Sequence, residues 1–535
     1  MNRDTIPGVV LVCAGLLAAW RPVETHPLTG VVLAGIFLTL VPWTWKRTSA
    51  ESFRCSAGLV ALWSVFLIAG QAGGWDRTEA LSQVFLVGAV IAVIWVASRH
   101  FPDDWMIEAF ALGLVGLAVW GLWQSLGGLH DLRALTENLP EHFRAGALAR
   151  IDRGRAFASL LLPSHLAVIL ATALPILMVR INRDARGVLF GLAFILGVAG
   201  LVATRSPVGV VLALGSCGAL LVVSRRRYLV WALGVGASAV VVVITLRPDV
   251  LRLEPIMLRL DNWGSALWVW LGAPIVGVGL GGFGQAAQSV PWPVGNHPVH
   301  AHSMPLEMLA DLGVFGLVAW VAAMVWILRV VKRLWPSRPD LAVALLVIPA
   351  HNLVDFSFYT TAVALPWALV MGWSLALTRS GSQAGAPAPP ALRWVPVLGG
   401  SVAVALALLG LTGFTLQEAA RGDASLEDRT RWAGRGAMLT PWNADATDLV
   451  GALALESGSP TRAHGALIFL ETRQWQRPRS AARAQLMGRL GTLAGDPVDG
   501  LANLWRAQQF QPYDGRRWED FVIAVEGIKG RHGKR

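Results

Sequence analysis

RPDVLRLEPIMLRLDNWGSALWVWLGAPIVGVGLGGFGQAAQSVPWPVGNHPVHAHSMPLEMLADLGVFG, residues Arg247–Gly316, is the stretch on which the reading of this chain turns. Its residues 247–304 lie between two long apolar runs, 229–246 and 305–330, and are the longest polar interruption among such runs. It carries three arginines (Arg247, Arg252, Arg259), three histidines (His297, His300, His302), a glycine-rich turn and a PWP segment. Helical connections are ordinarily a few residues long, and a longer one more often carries function than merely links.

Outward from that stretch the chain is apolar. Its 535 residues are 54% hydrophobic and 15% charged, with mean hydropathy +0.53, which is too many apolar residues for one water-soluble core. Runs near the roughly 20 residues that cross a bilayer fall at 6–20, 28–45, 56–72, 79–97, 105–125, 156–179, 187–204, 207–223, 229–246, 305–330, 341–355, 360–378 and 394–415. An all-α polytopic membrane protein with about 12–13 transmembrane helices is therefore expected. Pro175 and Pro366 fall inside spans, where neighbouring helices re-satisfy the backbone groups that proline frees. The opening MNRDTIPGVVLVCAGLLAAW lacks a small-residue cleavage site after its apolar run, so it reads as a retained first span rather than a signal peptide. Cys13, Cys55 and Cys217 have no metal-ligand spacing and imply no disulfide framework.

The charge pattern gives orientation. With the amino terminus cytoplasmic, alternate connections carry Lys46, Arg47 and Arg54; Arg99; Arg180, Arg183 and Arg186; Arg225, Arg226 and Arg227; and Lys332, Arg333 and Arg338. The net charge of +11 and pI near 10.6 thus serve topology, and no nucleic-acid partner is expected. Two outer connections break the rule: the Arg247–Met304 loop, and 127–155 with Arg133, Arg144, Arg150, Arg153 and Arg155. Arginines kept on the disfavoured side suit an anionic group at the membrane surface; Arg133, Arg144, Arg150 and Arg247 read instead as solvated charges or partners of lipid phosphates.

The domain plan follows: a transmembrane domain over 1–378, with the outer loop at 247–304, a Ser/Gly/Ala/Pro-rich linker over 379–393, a last span at 394–415, and a helical domain over 416–535 on the outer side. In that last domain RGAMLTPWNADATDL from Arg435 and RAQQFQPYDGRRWEDF from Arg506 share Arg-x5-Pro-aromatic-Asn/Asp. Their offset is about two periods of a 34-residue helical hairpin, which resembles a short tetratricopeptide-like array that binds a protein partner; a plain helical cap fits as well.

The chemistry-bearing residues crowd the outer face. They are Arg153 and Arg155 in DRGRAF, with Pro163, Ser164 and His165 just beyond; Arg205 in ATRSPVG; Arg259 and Trp263 in RLDNW; the turn PIVGVGLGGF; HPVHAHSMPLEML with His300 and His302; and HNLVDFSF with His351 and Asp355. GVGLGGF follows no strand, so it is no dinucleotide fingerprint. His300 and His302, two apart with no HExxH and no dense carboxylates, make no zinc site; they can also cap a helix or bind water. Trp263, Trp268, Trp270 and Trp292 read first as interfacial belt, and second as platforms for sugars.

In this order, over residues 150–375, the pieces resemble the O-antigen ligase and O-antigen polymerase family of bacterial inner-membrane glycosyltransferases. The family's Gly-Arg start of a middle span is matched by Gly154, Arg155, Pro163 and Ser164. Its Arg-x-x-x-Trp stretch and Pro-x-x-Gly-x-Gly turn are matched by Arg259, Trp263, Pro274, Gly277 and Gly279, and its His-x-His segment by His300, His302, Leu306, Leu312 and Gly313. Departures are Ser303 where the family has Asn, Leu-Pro-Ser at 162–164 for Asn-Pro-Asn, and Thr204-Arg205-Ser206 for Ser-Arg-Gly.

The resemblance implies transfer of a glycan from an undecaprenyl-pyrophosphate carrier to an acceptor at the periplasmic face, without nucleotide sugar, cofactor or metal. It implies Arg155 and Arg259 as pyrophosphate ligands, with Arg205 next and Arg153 weaker, since guanidinium forks suit a pyrophosphate leaving group. It makes His302 the base or acceptor-orienting group, because imidazole exchanges protons near neutrality. His300, Trp263, His351 and Asp355 complete the expected substrate-binding set. The acceptor is ordered as lipid A core (ligase), then another carrier-linked repeat (polymerase), then a protein hydroxyl. A polysaccharide or lipid transporter is the reading from a different class, but the chain shows no inverted repeat and its charges crowd one face rather than mid-span.

Overall fold

The computed structural model describes residues 5–20, 77–136, 144, 148, 151–160, 162–181, 186–224, 254–291, 298–378, 409, 412–441, 443–511 and 515–532. The expected spans 28–45, 56–72, 229–246 and most of 394–415 lie outside these residues, as do the linker, Arg247, Arg252, Trp292 and His297. Among the described residues every regular element is helical. In chain order these are α1 (Thr5–Trp20), α2 (Arg77–Ala97), α3 (Asp104–Trp123), α4 (Leu129–Leu135), α5 (Pro163–Arg180), α6 (Gly187–Ala203), α7 (Pro207–Ser224), α8 (Glu254–Gly272), α9 (Phe283–Ala286), α10 (Met304–Leu334), α11 (Pro339–His351) and α12 (Thr361–Thr378). Six more follow: α13 (Leu426–Leu439), α14 (Ala444–Glu456), α15 (Pro460–Thr472), α16 (Ala481–Ala494), α17 (Pro497–Phe510) and α18 (Gly515–His532). Four described segments are long and apolar enough to cross a membrane: Asp104–Arg133, α5, α10 and α12. The protein is an all-α polytopic membrane protein.

The chain divides into two compact units, Met1–Leu59 with Gly88–Ile256 and Val321–Val404, and Val60–Val87 with Met257–Trp320 and Ala405–Arg535. In the first, α5 is the central helix, packed on by α3, α6, α7 and α11. Apart from Thr172, whose hydroxyl donates to the Val168 carbonyl at 2.8 Å, it is apolar on every side from Leu166 to Leu177, as suits a helix enclosed by others. Small residues bring its neighbours close: a Cβ added to Gly200 of α6 would lie 2.4 Å from the Ala118 Cβ of α3, and one added to Gly209 of α7 would lie 2.4 Å from that of Ala167. Where α3, α5 and α11 end together, Arg180 meets Asp104 at 2.6 Å and Glu108 at 3.5 Å, while Arg338 meets Asp104 at 3.0 Å and Asp340 at 2.9 Å. Two arginines read from the sequence as topology signals are thus also ion-pair partners that tie helix ends together.

In the second unit, α13–α18 pack each on the next. Their starts are punctuated by Ser425, Asn443, Ser459, Ser480 and Asp496, whose side chains accept backbone N–H bonds of the first turn. Asn443 closes the first Pro-aromatic-Asn turn; Pro512, Tyr513 and Asp514 of the second lie outside the described residues.

Several boundaries differ from expectation. The span expected from 156 begins at Pro163, because the described residues 153–160 and 162 are non-helical and proline then opens the helix at its first position. The span expected at 105–125 continues through a π-helical turn, Gln124–Gly128, into α4. The helix expected over 341–355 stops at His351, and α10 bends at Gly313, whose φ of 64° departs from helical geometry. Within the polar loop, residues 254–272 form α8, a helix of 19 residues.

Candidate active site

Among the described non-glycine residues, left-handed φ values occur at Ala158 (52°), Arg205 (50°) and His302 (54°). Such backbone costs about 1–3 kcal/mol per residue and persists where the surroundings over-determine it, commonly at functional sites. Two of the three are arginine and histidine positions singled out from the sequence.

Arg205 belongs to the first unit. Helix α6 ends at Ala203, Thr204 caps it, Arg205 turns the chain, and Pro207 opens α7. The Ser206 N–H donates to Thr204 Oγ1 at 3.2 Å, and the Gly209 N–H to Ser206 Oγ at 3.4 Å, so the turn holds its form without the family's glycine. This turn docks on the Arg153–Arg155 loop. Arg155 Nε donates to the Thr204 carbonyl at 3.2 Å, Ala156 N to that of Ala203 at 3.0 Å, and Arg205 Nη1 to the Arg153 carbonyl. Gly154 (φ 58°) faces the Arg205 guanidinium, where an added Cβ would lie 3.3 Å from Nη2. The Arg153–Arg155 loop and the Arg205 turn, about 50 residues apart in sequence, therefore meet, with the Arg155 and Arg205 guanidiniums each bonding a carbonyl of the other segment. Gln124, buried on the π-helical turn, clamps the same loop: its Oε1 accepts from the N–H groups of Phe157 (3.0 Å) and Ala158 (2.7 Å), and its Nε2 donates to the Ala158 carbonyl at 2.8 Å. Arg133 instead pairs with Asp152 at 2.9 Å on the surface.

His300 and His302 belong to the second unit, where two carboxylates one turn apart on α10 organise the loop. Glu307 is buried; its Oε1 meets His300 Nδ1 at 2.7 Å and its Oε2 accepts the Ala301 N–H at 2.9 Å. Asp311 is buried too; its Oδ2 accepts the Gly281 N–H at 2.7 Å and its Oδ1 the Phe283 N–H at 2.8 Å. The glycine-rich turn therefore sits against α10, with the Gly279 N–H donating to the Asp311 carbonyl at 2.8 Å. At Gly277 (φ 69°) a Cβ would come within 2.3 Å of that carbonyl, so the turn needs glycine for backbone approach. Trp263 Nε1 donates to the His302 carbonyl at 3.2 Å, which ties α8 to the histidine segment. Arg259 precedes Trp263 by one helical turn, so the two share a face of α8.

His351 and Asp355 form a third group, in the first unit. His351 Nδ1 meets Ser357 Oγ at 3.0 Å and its Nε2 lies 3.5 Å from Asp355 Oδ2; Asn352 Nδ2 donates to the same Ser357 Oγ at 2.9 Å. All four residues are buried, and Asn352 Oδ1 and Asp355 Oδ1 accept backbone N–H groups of Phe358 and Phe356. Expected as substrate ligands, His351 and Asp355 stand in a network that closes the turn after α11.

Burial opposes a charge on His300, but Glu307 outweighs it, aided by Glu79 and Asp311, and holds the imidazole's pKa above its ordinary value. A group raised in the folded state gives stability that is full below the unfolded pKa, about 6.5, and is lost as pH climbs through the folded value. The unfolding midpoint of wild type should therefore exceed that of His300→Gln most at acidic pH, with the gap closing as pH rises above neutrality; a gap independent of pH contradicts the ion pair.

The family model for O-antigen ligase matches residues 192–321. These residues form an O-antigen ligase family domain. The matched segment is about a quarter of the chain and holds Arg205, Arg259, Trp263, His300, His302, Glu307 and Asp311; Arg153, Arg155, His351 and Asp355 lie outside it. No curated protein matches the chain. The match supports an O-antigen ligase-like membrane glycosyltransferase in general terms.

Sequence reading did not single out Glu307, Asp311 or Gln124. The signals were present: two acids four apart opening an apolar helix beside a histidine segment, and one glutamine ending an apolar run.

Proposed function

We propose that this O-antigen ligase-type enzyme transfers a glycan from an undecaprenyl-pyrophosphate carrier to lipid A core at the periplasmic face of a bacterial inner membrane, without nucleotide sugar or metal. The observation that carries the reading is the join of α8 to the histidine segment: the Trp263 indole holds the carbonyl of His302, whose backbone is left-handed, one helical turn from Arg259.

The roles follow from the chemistry. The acceptor hydroxyl gives its proton to His302 as its oxygen attacks the anomeric carbon; the bond from that carbon to the carrier pyrophosphate breaks, and the leaving oxygen keeps the electron pair. Arg259 neutralises that developing charge through two parallel N–H donors. His300, held by Glu307, is a positioning residue. Arg155, Arg205 and Arg153 are proposed ligands for the anionic carrier, and Trp263 a positioning residue with an aromatic face for sugar. His351 and Asp355 are proposed to shape the protein rather than to touch substrate. In this reading the amino terminus is cytoplasmic, and the domain from 416 is periplasmic, tetratricopeptide-like and able to take a protein partner. That domain also bears on the loop, since Gln511 Nε2 donates to Gln288 Oε1 at 2.5 Å just past α9.

The acceptor is tested by the surface glycan of a deletion strain. Loss of every repeat from lipid A core is the expected result; a single repeat still attached to core would replace the ligase reading with a polymerase.

A further inference from the structure

Away from the candidate active site, the C-terminal helices form an open-sided pocket of about 120 Å³ lined by Arg477, Ser480, Arg483, Asn503, Arg506 and Phe510, among others. We propose that it is an oxyanion site, which receives one carboxylate or phosphate group carried by a ligand. The sequence concentrates charge there: residues 472–495 contain Arg473, Arg477, Arg479, Arg483 and Arg489 and no Asp or Glu.

The arginines differ in how fully they are used. Arg483 is buried and commits its donors to Asp448 (2.6 Å), the carbonyls of Arg473 (3.0 Å) and Ala444 (3.2 Å), and Gln476 Oε1 (3.1 Å). It builds the wall and contributes field. Arg477 is shared between Asp445 at 2.8 Å and Asp448 at 3.5 Å. Arg506 is exposed, and among the described residues its one hydrogen bond is a long 3.4 Å contact with Asn503 Oδ1. At that length the bond is weak, so the Arg506 guanidinium is available to a ligand at little cost. Arg489, by contrast, is taken by Asp520 at 2.7 Å. Three arginines against the Asp445–Asp448 pair leave the lining net positive.

Size sets the ligand class. The pocket is well below the roughly 300–1,000 Å³ of sites for drug-sized ligands. It therefore suits one charged end group, with the Ser480 hydroxyl and Asn503 amide as neutral partners and Phe510 as an apolar wall. The site does not depend on the transfer reaction and stands or falls separately from it.

The test uses the full-length protein in detergent, titrated with inorganic phosphate, with glucuronate, and with glucose as a neutral control at matched ionic strength. Amide hydrogen exchange over residues 474–510 is the readout, so anions bound elsewhere do not count. Saturable protection by phosphate, by glucuronate or by both is expected, about tenfold or more weaker in Arg506→Gln, the scale of one charge-assisted hydrogen bond. Preference for glucuronate would name an acidic sugar or carboxylate as source, and preference for phosphate a phosphoryl group; either keeps the site. Arg506 is exposed, so the variant should keep the wild-type unfolding midpoint. No saturable protection by either anion, equal protection by glucose, or wild-type behaviour of Arg506→Gln overturns the proposal.

Discussion

Arg259→Lys is expected to lower glycan transfer about 100-fold or more in purified, monodisperse protein, although the charge is kept. An ammonium is a point charge and cannot present the planar two-donor fork that matches a pyrophosphate. Loss of one preorganised donor to a developing anion costs about 100- to 1,000-fold in rate. His302 should behave differently, because its proposed contact with the acceptor strengthens only as the proton leaves. Its removal should lower turnover with little change in carrier-lipid binding. The choice of variant matters, since His302 has a φ of 54°. Alanine there adds backbone strain, whereas asparagine tolerates the left-handed region. Agreement between His302→Asn and His302→Ala in specific activity per folded molecule would separate lost chemistry from lost stability. Full specific activity in both Arg259→Lys and His302→Asn would defeat the site assignment.

Asp311→Ala should be the most damaging single change outside the proposed reacting groups. It removes the acceptor of two backbone N–H groups, Gly281 and Phe283. Each buried donor left unpaired costs about 1–3 kcal/mol, so the loss of stability should reach roughly 2–6 kcal/mol if the turn keeps its place. Should the turn detach instead, hydrogen exchange over 277–290 will accelerate far more than elsewhere and transfer will fall with it. Asp311→Asn should fall between, because its amide oxygen can still accept one of the two N–H groups while its NH₂ opposes the other. A stable Asp311→Ala with wild-type exchange in that segment would show that the carboxylate does not hold the turn.

The membrane class and most helices were legible because apolar runs of bilayer length announce themselves, and α5, α6, α7, α10 and α12 fall on expected spans. The boundaries were not. Pro163 looked like an interior proline in an apolar run but opens the helix, and Gly313 bends α10 while allowing the Ile275 backbone to approach. Periodicity cannot show such contacts, which depend on residues far apart in sequence. The histidine and arginine positions were legible as polar exceptions with a family-like order. Their support was hidden, because Glu307 and Asp311 read as ordinary acids at a helix start until the structure shows what each one holds. The docking of the Arg205 turn on Arg155 spans 49 residues and left no local trace.

The central claim is that this protein moves a lipid-linked glycan without an activated nucleotide sugar. It is tested most directly by incubating the purified protein in detergent with an undecaprenyl-pyrophosphate-linked glycan and lipid A core, with nucleotides removed and divalent cations chelated. The account predicts glycan-bearing lipid A and released undecaprenyl pyrophosphate in equal amounts, with both products suppressed together in Arg259→Lys. Donor left intact under these conditions by well-folded protein, or product formed only when a nucleotide sugar is supplied, would contradict it.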